Sequence, residues 1–254
     1  MTGSRESILQ DTANLLIDAR RTGQSLAELP PDNVPADLTE IWYVKGLVAA
    51  AFGPVGGYKI GAPSLEATPS FAPMPAAWIA PSGSTLSGAQ WRYRGIEAEI
   101  ALLVGKDLPP RATPYTRDEV LDAMASCHPA IEVLESAFTA PVLPSPGPQS
   151  DLQTHGGFVY GPAFDGWRSA DFSAEQIVLS IDGVIRVERT GSNTSGDLLR
   201  LPVYLANEGA ARTGGLKAGQ WITTGSWTGL VLATADSTVD AVFSTAGRVQ
   251  LIFA

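Results

Sequence analysis

Two glutamates lie two residues apart in an otherwise apolar stretch, Ile96-Glu97-Ala98-Glu99-Ile100. Alternate side chains of a β-strand point to the same face, so Glu97 and Glu99 share one face while their apolar neighbours face the core. Two carboxylates about 7 Å apart on an apolar strand repel each other unless a cation lies between them. The spacing therefore indicates a cation site, with a solvated strand face as the alternative.

A third glutamate, Glu132, stands alone in a second apolar stretch at residues 129–134. A lone acid in such a run is seldom buried unless it is paired or binds a metal. Three carboxylates supply the oxygen ligands that a hard divalent ion prefers, and they leave coordination positions open for a 2-oxo carboxylate. The alternative for Glu132 is an ion pair with Arg or Lys at a sheet edge.

A lysine and a polar turn are further candidates. Lys59 lies in the glycine-flanked segment 56–61, from which it can reach a carboxylate or transfer a proton. The alternative is a surface lysine whose stem packs on apolar neighbours. Thr224, Gly225 and Ser226 end an apolar strand, and backbone N–H groups in such a turn can hold a carboxylate.

Other reactive residues are less informative. The adjacent Cys127 and His128 do not face each other on a helix or a strand, which argues against a nucleophilic pair. Cys127 is the single cysteine, so neither an intramolecular disulfide nor a cysteine zinc site is possible. For His155, which precedes two glycines, we expect a capping or turn role, with a place in the lining of a site as the alternative. We interpret residues 191–196 as a flexible loop.

The composition narrows the class of protein. The chain has 254 residues and a formal net charge of −9, with 44% hydrophobic and 17% charged residues, which is typical of a folded domain. The acidic balance and the scattered Lys and Arg argue against a nucleic-acid surface. No apolar run approaches the roughly 18 residues of a membrane span, and the N-terminal segment lacks a signal-peptide core. We therefore expect a cytoplasmic protein with no nucleic-acid or membrane partner.

The elements that must position the candidate residues fall into two parts. Apolar residues recur at helical spacing between residues 8 and 19 and between 38 and 52, which predicts an N-terminal helical cap over 1–55 that can also serve as an oligomer face. From residue 56 onwards glycine and proline are frequent and the apolar runs shorten, so we predict a β-rich catalytic domain over 56–254.

Within the second part the patterns predict strands at residues 96–104, 130–134, 177–180, 184–187, 221–224, 239–243 and 249–253. Asp182-Gly183 predicts a two-residue hairpin turn. Helices are predicted from a capping box at Thr116 to about residue 126 and over 201–212, and the proline-rich segment 140–149 is predicted to be a loop. Helices followed by many β segments indicate an α+β fold with a mixed or rolled sheet.

Taken together, these segments resemble the fumarylacetoacetate hydrolase superfamily, and within it the branch of 2-keto-4-pentenoate hydratases and 4-oxalocrotonate decarboxylases. The segments that carry the resemblance occur in family order, at 57–61, 95–101, 129–133, 151–159 and 216–229. The resemblance implies a mixed β-roll or sandwich domain with an N-terminal helical portion, assembled into a homo-oligomer.

The resemblance also implies roles for residues of this chain. It implies that Mg²⁺ or Mn²⁺ is held by Glu97, Glu99 and Glu132 and that Lys59 is the catalytic lysine. It further implies that the turn 224–226, formed by Thr224, Gly225 and Ser226, helps to bind the substrate.

The chain departs from the usual pattern of this branch at several places. Residues 70–75 contain no Asp, although an Asp-Phe-Gly-like segment is usual there. Glu135-Ser136-Ala137 stands where Asp-Ser-Arg is usual, and the following lysine-containing segment is replaced by the proline-rich residues 140–149. The usual Asp-Asn pair reads Asp151-Leu152.

The expected function is that of a metal-dependent lyase, a hydratase of a small 2-hydroxy-2,4-dienoate or 2-oxo-4-enoate acid in aromatic compound catabolism. A metal in this chemistry stabilises the developing enolate as a Lewis acid, while Lys59 orients the substrate or relays a proton. The same enolate chemistry also serves decarboxylation of a 2-oxo diacid and hydrolytic C–C cleavage of an acylpyruvate. The departures leave a third class open, a catalytically silent relative that binds a metal or a metabolite.

Overall fold

The computed structural model describes residues 3–141 and 143–254. Its strands, in chain order, are β1 Val55–Gly61, β2 Ser70–Pro75, β3 Ile79–Pro81, β4 Ser84–Leu86, β5 Gly95–Val104, β6 Met124–Leu134, β7 His155–Tyr160, β8 Gln176–Ile181, β9 Val184–Thr190, β10 Trp221–Ser226, β11 Val231–Leu232, β12 Thr238–Phe243 and β13 Gly247–Phe253. Its α-helices are α1 Gly3–Thr22, α2 Leu38–Ala51, α3 Arg117–Asp122, α4 Pro146–Ser150, α5 Arg200–Ala206 and α6 Ala210–Thr213.

The strands form two sheets. The larger has eight strands in the order β2-β1-β10-β5-β6-β7-β3, with β11 paired to β5, and the smaller has the order β4-β13-β12-β8-β9. Strand pairs β1–β10, β3–β7 and β4–β13 are parallel and the other pairs are antiparallel, so both sheets are mixed. The α+β fold with mixed sheets is confirmed.

The main core lies between the two sheets. Ile96 and Ile100 of β5 are fully buried there, in one apolar cluster with Phe243 and Leu251 of the smaller sheet. Ala98 is buried in the same cluster, and because side chains alternate along a strand, Glu97 and Glu99 face away from this core. That second face of the larger sheet carries the candidate site.

The N-terminal helices cover part of the structure on the site side. Leu16 of α1 and Val48 of α2 are fully buried in a second apolar cluster that also contains Phe138 and Leu152, which lie in the segment between β6 and β7. The two predicted helices are confirmed. The division of the chain into a helical cap at 1–55 and a catalytic domain at 56–254 stays a prediction.

Three local predictions need correction. The helix opened by the Thr116 capping box ends at Asp122 rather than near residue 126, because Met124 already pairs with Val104 in the sheet. The segment 140–149, predicted to be a loop, contains the first four residues of the one-turn helix α4.

The predicted helix over 201–212 is interrupted between α5 and α6. The Asn207 side chain accepts a hydrogen bond from the backbone N–H of Tyr115 at 2.7 Å and donates one to its carbonyl at 3.0 Å, and the chain leaves the helical path there.

The Asp182-Gly183 hairpin is confirmed. Both turn residues have positive φ, 53° and 75°, as a two-residue hairpin turn requires. Among the helices of residues 3–141 and 143–254, none has the length and hydropathy of a membrane-crossing segment.

Candidate metal centre

Three carboxylates converge on the face of the larger sheet that lies away from the main core. Glu97 of β5 stands directly opposite Glu132 of β6, and Glu99 lies two residues further along β5, opposite Ala130. One carboxylate oxygen from each glutamate lies within 4.8 Å of the other two. Glu99 and Glu132 are buried, with 2% and 1% of their surface exposed, and Glu97 is half-buried. The structure brings the three predicted ligands together.

Lys59 reaches this cluster from β1, two strands away from β5. Strand register places Lys59 beside Thr223 of β10, and Thr223 beside Ala101 of β5. The small Ala101 leaves room for the lysine stem on this face. Lys59 Nζ lies 2.7 Å from Glu132 Oε1 and donates a hydrogen bond to the carbonyl of Gln153 at 3.2 Å.

Gln153 belongs to a strained segment. The backbone φ angles of Leu152, Gln153 and Thr154 are 52°, 52° and 62°. They lie in the left-handed region that residues other than glycine seldom adopt. This conformation aims one carbonyl at the site lysine, and the carbonyl of Thr154 accepts a hydrogen bond from the Glu135 N–H.

His155 has the expected capping role, because its backbone N–H donates to the carbonyl of Leu152 at the end of the turn 152–154, and its side chain also lies in the site. Its Nδ1 lies 3.0 Å from Glu132 Oε1, and its ring packs on Trp78 with centroids 5.9 Å apart. Burial lowers the pKa of His155. Because Nδ1 faces a carboxylate oxygen it is assigned as the donor, and Nε2 is buried without a hydrogen-bond partner among the described residues. The available signal was weak: His155 begins the strand that pairs with the strand of Glu132.

The electrostatics favour a bound cation. Burial and the neighbouring carboxylates raise the pKa of Glu99 well above its ordinary value, and burial with the charge of Glu132 raises that of Glu97. Burial also opposes ionisation of Glu132, but the charge of Lys59 and the hydrogen bond from His155 outweigh it and lower that pKa to about 2.

Three glutamates face one ammonium, so the ionised cluster carries two excess negative charges. Donors that are all oxygen atoms suit a hard divalent ion such as Mg²⁺ or Mn²⁺. The residues therefore fit the metal that the resemblance implies, with Glu97, Glu99 and Glu132 as its ligands.

The predicted substrate-binding turn borders the carboxylates. The Gly225 N–H donates to Glu99 Oε2 at 2.9 Å, and a hydrogen bond from Ser226 partly offsets the raised pKa of Glu97. The Thr224 hydroxyl instead donates to the carbonyl of Ile100 at 2.6 Å, which ties β10 to β5. Substrate binding by Thr224, Gly225 and Ser226 stays a prediction.

Asn193 holds this turn from the segment that we interpreted as a flexible loop. Its Nδ2 donates to the carbonyls of Thr224 and Gly225 at 2.9 and 3.0 Å, and its Oδ1 accepts from the Ser195 N–H at 2.9 Å. Asn193 is 8% exposed, so this loop is anchored beside the site. Nothing in its local sequence indicates that contact.

Asp151 connects the N-terminal helix α1 to the segment that follows β6. Its carboxylate is buried in an ion pair with Arg20 of α1, and its Oδ2 accepts from Ser136 Oγ at 2.9 Å and the Ala137 N–H at 2.7 Å. Arg20 Nη2 also donates to the carbonyl of Glu135 at 3.1 Å. A guanidinium from the N-terminal helix thus contacts the segment where the usual Arg is replaced by Ala137.

Two curated proteins and a set of solved structures are similar to this chain. No family model matches the chain. The chain is 29% identical over 156 residues to a 4-oxalocrotonate decarboxylase of a Pseudomonas species, a match that covers 61% of this chain and 58% of that protein. It is 29% identical over 157 residues to a 2-hydroxyhexa-2,4-dienoate hydratase of Comamonas testosteroni, covering 62% of this chain and 59% of that one. Each match thus spans less than two thirds of the relative's length.

Among solved structures, the fold is similar to that of 4-oxalocrotonate decarboxylase from Pseudomonas putida G7 complexed with magnesium and adipate. The TM-score is 0.83 at 20% identity, and the similarity covers 98% of both chains. The fold is therefore the one that the sequence resemblance implies. The resemblance to the hydratase and decarboxylase branch of the fumarylacetoacetate hydrolase superfamily is confirmed.

Proposed function

We propose that this protein is a divalent-metal-dependent lyase, a hydratase of a small 2-hydroxy-2,4-dienoate acid from aromatic compound catabolism. The observation that carries the proposal is the convergence of Glu97, Glu99 and Glu132 beside the ammonium of Lys59. The two curated relatives, named as a decarboxylase and a hydratase of related acids, support the same chemistry.

The metal would be Mg²⁺, with Mn²⁺ as the other candidate, held by Glu97, Glu99 and Glu132. When bound, it would supply Lewis-acid stabilisation of the negative charge that develops on the 2-oxygen of the substrate. The magnesium in the similar decarboxylase structure supports this assignment.

The side chains around the cluster would orient the substrate and transfer protons to it. Lys59 Nζ holds three protons between Glu132 and the carbonyl of Gln153, and it is the group that would relay a proton during conversion of the dienol to the enone. His155 fixes the orientation of Glu132 through Nδ1. The turn at Gly225 and Ser226 lies beside the glutamates, where it would orient the carboxylate of the substrate. Water then adds across the remaining double bond.

Three cations around the cluster are engaged by groups of the protein. The ammonium of Lys59 is engaged by Glu132, Arg20 is engaged by Asp151, and Lys45 is buried against the carbonyl of Phe71. A second, distal carboxylate of a diacid would therefore have to pair with a cation other than these three.

Decarboxylation remains the second candidate, because the fold matches that of a 4-oxalocrotonate decarboxylase along almost the whole chain. Product analysis separates the possibilities. A hydroxy-2-oxo acid supports the hydratase, CO₂ release the decarboxylase, and two shorter acids a C–C hydrolase. Binding without turnover across a panel of 2-oxo acids supports the catalytically silent relative.

The test is the hydration of 2-hydroxypentadienoate with Mg²⁺, with EDTA, and with Mg²⁺ restored. We expect turnover with Mg²⁺, its loss in EDTA and its recovery. Turnover that persists in EDTA contradicts the proposal.

The assembly and location also belong to the proposal. We propose a cytoplasmic homo-oligomer. The oligomer is supported by large apolar side chains exposed on the surface, among them Val184 and Ile185 of β9 and Leu232 of β11. Light scattering coupled to size-exclusion chromatography tests the oligomer, which we expect to be at least a dimer.

A further inference from the structure

A cavity of about 350 Å³ lies next to the metal centre without including it. Its lining contains three arginines and three aromatic side chains, Arg20, Arg21, Arg92, Phe52, Trp78 and Trp91. Neither Lys59 nor any of the three glutamates of the metal centre lines it. The volume falls within the roughly 300–1,000 Å³ of small-molecule sites.

The cavity is cationic although the protein is acidic. The chain carries a net charge of −9, yet the ionisable lining residues comprise three guanidinium groups and one carboxylate, that of Glu135. Asp151 compensates the charge of Arg20, so Arg21 and Arg92 are the guanidinium groups open to a ligand. The Glu135 carboxylate is occupied by backbone N–H groups, those of Arg92 at 2.7 Å, Tyr93 at 2.9 Å and Ser136 at 3.1 Å. Its Oε1 lies 3.9 Å from Arg92 Nε, an ion pair too long for a hydrogen bond, so it does not saturate the guanidinium donors.

Several buried donors in the lining have no acceptor. Arg92 Nη2 donates to the carbonyl of Ser136 at 2.6 Å, but its Nε and Nη1 are buried without a hydrogen-bond partner among the described residues. The indole N–H of Trp91 is also buried without a hydrogen-bond partner among the described residues. A buried donor without an acceptor is destabilising, so such groups point to an acceptor supplied by a ligand.

The aromatic residues give the cavity flat walls. The Arg20 guanidinium lies over Trp78 at 5.2 Å from the ring centroid, and that of Arg21 lies over Phe52 at 5.6 Å. Guanidinium groups held beside aromatic rings suit a flat molecule whose negative group meets the guanidinium donors.

We propose that this cavity is a second binding site, which takes a planar aromatic or conjugated carboxylate and does not require the metal. Trp78 lines the cavity and packs on His155, and His155 contacts Glu132, so the site adjoins the metal centre through one layer of side chains. The proposal rests on the arginines and aromatic walls and stands apart from the catalytic function.

The test is an isothermal titration calorimetry experiment in which benzoate is added to the protein in the presence of EDTA. Benzamide, which keeps the ring but lacks the charge, and acetate, which keeps the charge but lacks the ring, are the matched probes. We expect saturable benzoate binding, at least about tenfold weaker binding of either comparison probe, and the same benzoate affinity in Glu132→Gln.

Two variants assign the binding to the cavity. Arg92→Gln removes the unpartnered donors and Arg21→Gln removes an exposed guanidinium, so the second is expected to fold even if the first does not. Each should weaken benzoate binding by about tenfold, whereas Arg186→Gln, on the exposed face of β9, should leave it unchanged. Benzoate binding that needs Mg²⁺, equal binding of benzamide, or no effect of Arg21→Gln would overturn the proposal.

Discussion

Lys59 Nζ and His155 Nδ1 both contact the same oxygen of Glu132, Oε1, at 2.7 and 3.0 Å. The other oxygen, Oε2, is therefore the one available to a cation. The lysine and the histidine orient this carboxylate, and the lysine also places a positive charge beside it. In the proposed function, metal binding and proton transfer would thus be carried by neighbouring but separable groups.

Replacing Lys59 by Met separates the two roles. We expect the variant to bind Mg²⁺ at least as tightly as the native protein, because an ammonium that competes for Glu132 is removed. Turnover should fall by about 10²–10⁴-fold, the usual contribution of a positioned acid or base. Calorimetry with Mg²⁺ and steady-state rates measure the two effects, with Lys106→Met on the surface as the control. Loss of metal binding together with turnover would assign Lys59 a structural role.

Replacing Glu99 by Gln should stabilise the metal-free protein while destroying its metal site. Glu99 is 2% exposed, and burial and the charges of Glu132 and Glu97 raise its pKa, so its ionised form is unfavourable without a cation. We expect the free energy of unfolding in EDTA to rise by about 1–3 kcal/mol. Thermal unfolding with and without Mg²⁺ checks this, since the native protein should gain stability from Mg²⁺ and Glu99→Gln should not. A variant less stable in EDTA would contradict it.

The alternation along β5 explains why the sequence predicted the acidic cluster. Glu97 and Glu99 alternate with fully buried isoleucines, so one strand pattern identified both the core face and the site face. Glu132 was identified because an acid interrupts an apolar strand. Local patterns of this kind are sufficient to identify a site when its residues lie on adjacent strands.

Other contacts of the site depend on long-range packing that local patterns do not encode. Arg20 meets Asp151 across 131 residues, and Asn193 meets Thr224 across 31. The loop containing Asn193 has no periodicity from which its burial could be inferred. The break after α5 has the same cause, since the Asn207 side chain binds the distant backbone of Tyr115.

Replacing Arg20 by Met should be strongly destabilising. The Arg20 and Asp151 side chains are 5% and 0% exposed, so the variant leaves a buried carboxylate without its countercharge. We expect a loss of about 3–5 kcal/mol in the free energy of unfolding, measured in urea. The double variant Arg20→Met with Asp151→Asn is the control and should recover part of the loss. Equal destabilisation of the single and double variants would show that the ion pair is not the cause.

Lys45 predicts a dependence of stability on pH. Burial and the nearby charges of Lys59 and Arg212 lower its pKa to about 7, from 10.5 in an unfolded chain. Between these values the unfolded chain holds a proton that the folded protein lacks, so the free energy of unfolding rises as pH increases through this window. Below it Lys45 is protonated in both states, so it makes no contribution to the change of stability with pH. From pH 7 to 9 the Lys45 contribution should be about 2–3 kcal/mol.

The variant Lys45→Met isolates this term, because every other titrating group is retained. Urea unfolding of both proteins at pH 7 and pH 9 should give a stability difference that changes by that amount in favour of the native protein at the higher pH. A difference that stays constant between the two pH values would show that Lys45 remains charged in the folded state.

The central claim is that the three glutamates bind a divalent metal ion. It is tested most directly by adding Mn²⁺ to the metal-free protein and detecting the bound ion by electron paramagnetic resonance, which needs no substrate. The account predicts one tightly bound Mn²⁺ per chain, displaced by Mg²⁺, lost in Glu97→Gln and in Glu132→Gln, and retained in the surface variant Glu188→Gln. Mn²⁺ binding that survives in both Glu97→Gln and Glu132→Gln would contradict it.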